Sequence, residues 1–63
     1  MTTSTMMTQA GVGMTAEPNY DLVVFTLTNA HGGLVPIPMT IEECEELAAL
    51  LNLQAAEARE AFG

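Results

Sequence analysis

Two prolines two residues apart, Pro36 and Pro38, constrain the fold more than any other feature of this 63-residue chain. Successive N–H groups of a β-strand point to opposite sides, so both missing donors lie along the same lateral edge of the strand that contains them. A further strand cannot pair along that edge, whereas the intact donors of the intervening residues face a neighbour on the other side. The spacing therefore predicts an edge strand over residues 34–39.

The neighbour of this edge strand is predicted just upstream, over Tyr20 to Thr28, where β-branched and aromatic residues dominate. The segment from Asn29 to Gly33 ends in two glycines and predicts a turn, so the two strands form a hairpin. Side chains alternate between the two faces of a strand, and one face collects the apolar residues of both strands. This predicted core face consists of Val23, Phe25, Leu27, Val35, Ile37 and Met39.

A helix is predicted directly after the hairpin. Thr40 with Glu43 three residues later has the spacing of a capping box, in which each side chain satisfies a backbone donor. Apolar residues then recur at steps of three and four and predict one stripe along the helix: Ile41, Cys44, Ala48, Leu51, Ala55, Ala58 and Phe62. The helix is too long for a hairpin to cover. Its far half is expected to pack against a partner or to break near Asn52 and fold back.

Residues 1–19 differ in composition from the rest, and two alternatives stay open for them. Met6 to Thr15 mixes Thr, Val and Met, which favours an extra strand, whereas Gly11 and Gly13 favour a weakly ordered arm. An extra strand must pair on the side of the hairpin away from the prolines. The sequence thus predicts an α+β protein: a small ββα unit over residues 20–63, with an arm or added strand over 1–19.

A chain of this length buries only about 60% of the surface that its unfolded form exposes, so it needs an additional source of stability. Cys44 is the only cysteine and His31 the only histidine, so no internal disulfide or zinc cluster provides it. Support is expected from a well-packed small core, from a homodimer or from docking on a partner. The free cysteine and the lack of a leader-like or long apolar segment predict a cytoplasmic protein that does not enter membranes.

Charge is the second constraint, because eight carboxylates stand against one cation, Arg59, for a net charge of −7. Such a chain repels nucleic acid and anionic membranes and is attracted to basic surfaces. Four glutamates lie on one side of the predicted helix, opposite the apolar stripe: Glu42, Glu43, Glu45 and Glu46. Either they are a solvated face favoured by the helix dipole, or, with Asp21, they bind a basic partner. The like-charged pair Glu42 and Glu46 at i, i+4 favours binding.

No residue pattern points to catalysis. His31 lies in a glycine-rich turn, and Cys44 lies on the apolar stripe, where a buried thiol is inert. The glycines match neither the phosphate-binding loop nor the dinucleotide-binding fingerprint, and the calcium-binding loop is absent. The sequence predicts a protein that is not an enzyme and has no cofactor or metal.

Small, cysteine-poor, strongly acidic chains with a run such as Glu42 to Glu46 resemble phage-encoded inhibitors of bacterial defence, the anti-CRISPR proteins in particular. The resemblance implies a viral DNA mimic in the host bacterial cytoplasm that occupies the positively charged nucleic-acid site of a CRISPR–Cas effector. Glutamates at i, i+3 and i+4 rise about 4.5–6 Å along a helix, a spacing comparable with that of backbone phosphates. The alternative is a small homo-oligomeric interaction module, antitoxin-like or a scaffold component, whose glutamates only maintain solubility.

Overall fold

The computed structural model describes residues 2–63, which form a four-stranded antiparallel sheet followed by one helix. The elements are β1 (Ser4–Met7), β2 (Gly13–Asn19), β3 (Leu22–Thr28), β4 (Leu34–Thr40) and α1 (Ile41–Phe62). The strands lie in the sheet in chain order, from β1 to β4. The predicted α+β fold is confirmed. The single added strand expected over Met6 to Thr15 is wrong, because residues 8–12 form a turn and the segment contributes two strands, β1 and β2.

The central hairpin, β3 and β4, has the predicted apolar face. Opposed residues are Val23 with Met39, Phe25 with Ile37 and Leu27 with Val35. Because directly opposed residues share a face of the sheet, these six side chains form the expected apolar layer. In the described part of the chain β4 pairs with β3 alone, and β2 pairs with β3 on its other side. The predicted edge strand is therefore confirmed.

The turn between β2 and β3 corrects a strand boundary. The sequence predicted a strand that begins at Tyr20, but Asn19 pairs with Leu22, and Tyr20 and Asp21 form the two-residue turn between them. Tyr20 has a φ of +58°, in the left-handed region. A two-residue hairpin turn requires a positive φ at its first central position, where glycine or asparagine is more usual than tyrosine.

The β3–β4 turn is organised by Asn29. Its side-chain oxygen accepts hydrogen bonds from the backbone N–H groups of His31 and Gly33, both at 2.9 Å. Gly32 has a φ of +81°, and a Cβ atom on Gly33 would lie 2.8 Å from the Asn29 side-chain nitrogen. Gly32 is thus favoured by its backbone conformation, and a side chain at position 33 would displace the Asn29 amide that organises the turn.

The helix starts as the sequence predicted. The Thr40 hydroxyl accepts from the Glu43 N–H at 3.1 Å, and the Glu43 carboxylate accepts from the Thr40 N–H at 2.9 Å. Of the two alternatives for the far half, a break at Asn52 is wrong, because α1 runs unbroken to Phe62. No proline or glycine lies near Asn52, so nothing in the sequence interrupts the i to i−4 hydrogen bonds of the helix there.

Packing between the helix and the sheet is loose. α1 follows β4 without a loop and lies over the face that carries Phe25, where the helix and the sheet line a common cleft. Across residues 2–63 no side chain is fully buried. Cys44 points into this cleft and is only half-buried, so the expected burial of its thiol is not reached within one chain.

Candidate functional site

The predicted acidic residues lie at one end of the sheet. Leu22 is opposite Thr40, so the residue before Leu22 and the first turns of α1 are at the same end. We call this group the acidic end, and it comprises Asp21, Glu42, Glu43, Glu45 and Glu46. All five side chains are exposed. The fold therefore brings a β-turn carboxylate next to the helical glutamates, although they are about twenty residues apart in sequence.

Three of the helical glutamates face away from the sheet. Cys44 and Leu47 line the cleft and fix the side of α1 that faces the sheet. At about 100° per residue, Glu42, Glu45 and Glu46 lie on the opposite side of the helix. Within the described residues their carboxylates form no hydrogen bond with the protein. These three groups are free to contact a partner.

Glu43 has a different role. Its carboxylate oxygen accepts the Thr40 N–H at 2.9 Å, so it closes the capping box at the start of α1. A glutamate held in this way still contributes negative charge to the surface. Its first task is to satisfy a backbone donor that would otherwise be unpaired.

The charge of the acidic end is not offset by the chain's own cation. Arg59 lies in the last turn of α1, and seventeen residues at 1.5 Å each place it about 25 Å along the helix from Glu42. The Debye length is about 8 Å at physiological ionic strength, so the Arg59 charge is screened over that distance. Among the side chains of residues 2–63, no cation therefore balances the negative charge of the acidic end.

Tyr20 is a further candidate residue, which the sequence interpretation missed. It precedes Asp21 in the β2–β3 turn, and its side chain is 97% exposed. Its left-handed backbone conformation costs on the order of 1–3 kcal/mol for a non-glycine residue. Asn19 and Asp21, both turn-forming residues on either side of it, were the signal that could have located the turn. Tyrosine is enriched among residues that dominate binding energy at protein interfaces.

The structure does not bring His31 and Cys44 together. His31 is in the turn at one end of β3, whereas α1 begins at the other end, beside Leu22. A seven-residue strand separates the two ends by about 20 Å. In the part of the chain that the structure describes, no three histidine, cysteine or carboxylate side chains are grouped as a metal ion would need.

Over residues 2–63, no helix combines the length and apolar character needed to cross a membrane.

No family model matches the sequence, and no curated protein or solved structure matches it at a significant level.

Proposed function

We propose that this chain is a non-catalytic binding protein that docks its acidic end on a basic protein surface of the kind that otherwise holds nucleic acid. The observation that carries the proposal is the exposed acidic end, which lies beside Tyr20 and has no lysine or arginine side chain near it among residues 2–63. Opposed charges accelerate association and fix the orientation of the partners, and a central aromatic side chain supplies contact area.

In its specific form, the proposal is a phage-type inhibitor that acts in the host bacterial cytoplasm on a CRISPR–Cas effector and occupies its DNA-binding channel. The resemblance to small acidic inhibitors supports this target. Glu42 and Glu46 are one helical turn apart, about 6 Å, a distance comparable with the spacing of phosphates along a strand.

The test is inhibition of DNA binding by a purified, guide-loaded effector complex, followed with a fluorescent target duplex. The parent protein is expected to block DNA binding, and a Glu42→Lys, Glu46→Lys variant is expected to lose that activity. A Glu57→Lys, Glu60→Lys variant is the matched control, because it makes the same charge change on exposed residues at the other end of α1. This control should inhibit as the parent does.

Two outcomes contradict the proposal. If the parent leaves DNA binding intact, inhibition of such effectors is not its function. If both double variants, folded by circular dichroism, lose inhibition equally, net charge rather than the acidic end determines binding.

A second candidate function is a small homo-oligomeric interaction module, antitoxin-like or a scaffold component, in which the glutamates only keep the protein soluble. The observation that favours it is the exposure of large apolar side chains on the cleft side of α1 along its far half, Leu51 and Phe62. In this case the Glu42→Lys, Glu46→Lys variant keeps its function, and changes on the apolar side of α1 abolish it.

A further inference from the structure

We infer that a second copy of this chain covers the cleft between α1 and the sheet, so that the folded protein is a symmetric homodimer. The cleft is defined here by the side chains of Met6, Met14, Phe25, Leu47 and Leu51. This inference does not depend on the acidic end or on what the acidic end binds.

The accessible surface of the chain is the first argument. It measures 5219 Å². A folded monomer of 6.7 kDa is expected to expose about 3,900 Å², so each chain has an excess of about 1,300 Å². Relative to an unfolded chain of about 9,700 Å², folding buries a little under half of the surface, where a domain of this size buries about 60%. The single chain therefore leaves uncovered the surface that its stability requires.

The shape gives the same result. The radius of gyration over Cα atoms is 13.4 Å, whereas a compact domain of 63 residues has about 10.6 Å. The shortest dimension is only 17 Å, which is one sheet and one helix thick. Two such layers joined through the cleft side would bury the apolar face of the sheet between them.

The location of the uncovered apolar surface identifies the contact. The cleft has a volume of about 310 Å³, and none of the residues that line it is charged. Met6 on β1 is 57% exposed and Leu51 on α1 is 56% exposed. Outward-facing Glu42, Glu45 and Glu46 lie on the opposite side of the helix, so the cleft can close without burying a carboxylate. Burying an unpaired carboxylate would oppose association strongly.

A second copy fits this surface for reasons of area and symmetry. Covering about 1,300 Å² on each of two chains buries about 2,600 Å² in total, within the range of permanent homodimer interfaces. Such interfaces are also the most apolar class, as this cleft is. In a twofold-symmetric dimer the same patch of each chain contacts the other chain, so both apolar patches are buried and neither stays exposed.

The dependence on salt concentration distinguishes dimerisation through the cleft from docking of the acidic end. Two chains of net charge −7 repel each other, and screening of that repulsion tightens the dimer as salt rises. Docking on a basic partner has the opposite dependence and weakens as salt rises.

The experiment is sedimentation equilibrium of the full chain at micromolar concentrations, with two variants that differ only in the side of α1 they change. Leu51→Asp alters the cleft, and Leu53→Asp alters a leucine of nearly equal exposure, 58%, about 200° further around the helix. The parent and Leu53→Asp are expected at about 13.4 kDa, twice the mass of one chain. Leu51→Asp is expected to raise the dimer dissociation constant about 100-fold or more, because each dimer loses two buried leucines.

If Leu51→Asp does not fold, the parent alone decides the question. Its melting temperature should rise with protein concentration, as it does when folding and association are coupled, and should rise further with added salt. A parent that is folded and monomeric at 6.7 kDa up to 100 μM overturns the inference. A parent that is monomeric and unfolded also overturns the inference, because a different protein would then have to cover the cleft. Equal dissociation of both variants contradicts the assignment of the contact to the cleft.

Discussion

Removing the hydroxyl that caps α1, by Thr40→Ala, tests the local physics on which the acidic end is built. The hydroxyl accepts from the Glu43 N–H at 3.1 Å, and alanine leaves that donor without a protein partner. The Glu43 carboxylate still accepts the Thr40 N–H, because that bond uses only the backbone of residue 40. The substitution therefore removes one half of the capping box and leaves the other.

The expected loss follows from these two bonds. Replacing a threonine cap by alanine costs about 1 kcal/mol, within a range of about 0.5–2 kcal/mol. Both groups are exposed, so water replaces part of the lost bond and the value should be in the lower half of that range. For a domain of about 60–100 residues, 1 kcal/mol corresponds to a fall in melting temperature of about 4–8 °C.

The assay is thermal unfolding followed by circular dichroism at 222 nm, with parent and variants at one fixed concentration because association would shift the melting temperature. Glu43→Ala removes the other half of the box, and Thr40→Ala with Glu43→Ala completes a double-mutant cycle. We expect the double variant to lose less than the sum of the single losses, since the two bonds support each other. A Thr40→Ala protein that melts with the parent would refute the assignment of the helix start to this box.

Two further predictions follow. Tyr20→Asn should leave stability unchanged or raise it by up to about 1 kcal/mol, because asparagine tolerates the left-handed conformation better than tyrosine, yet it should weaken binding at the acidic end. Denaturant unfolding measures the first effect and titration of the partner the second; a variant that binds like the parent would remove Tyr20 from the site. Pro36→Val with Pro38→Val restores two donors on the open side of β4 and should cause concentration-dependent strand association, detected by light scattering and thioflavin fluorescence. A variant whose light scattering and thioflavin fluorescence match those of the parent would show that the prolines do not protect the edge.

The parts of the fold that the sequence predicted are those set by short-range chemistry. Pro36 and Pro38 fix the open edge of β4 through donors they lack, and Thr40 with Glu43 fixes the start of α1 through two bonds within one turn. Asn29 and the two glycines after it define the β3–β4 turn in the same way. Each of these signals lies within five residues, so no long-range contact was needed to interpret it.

The parts that the sequence did not predict depend on long-range pairing and on the approach of the helix to the sheet. β1 is four residues long and is held by pairing with β2, such as Met6 with Met14, which its own composition does not encode. Periodicity placed Cys44 on the side of α1 that faces the sheet, but it gives no measure of how closely the helix packs. For the candidate site, charge spacing singled out the glutamates, whose role stays a prediction. Tyr20 was missed because aromatic residues more often belong to strands than to two-residue turns.

The most direct measurement of the central claim is the affinity of the parent protein for a purified guide-loaded effector, at low and high salt, with and without excess target DNA. If the acidic end occupies the nucleic-acid site, the dissociation constant should rise at least about tenfold as the Debye length falls from about 10 Å to about 3 Å, and DNA should displace the protein. A complex that is insensitive to salt, or one that holds the protein and the DNA together, would contradict the account.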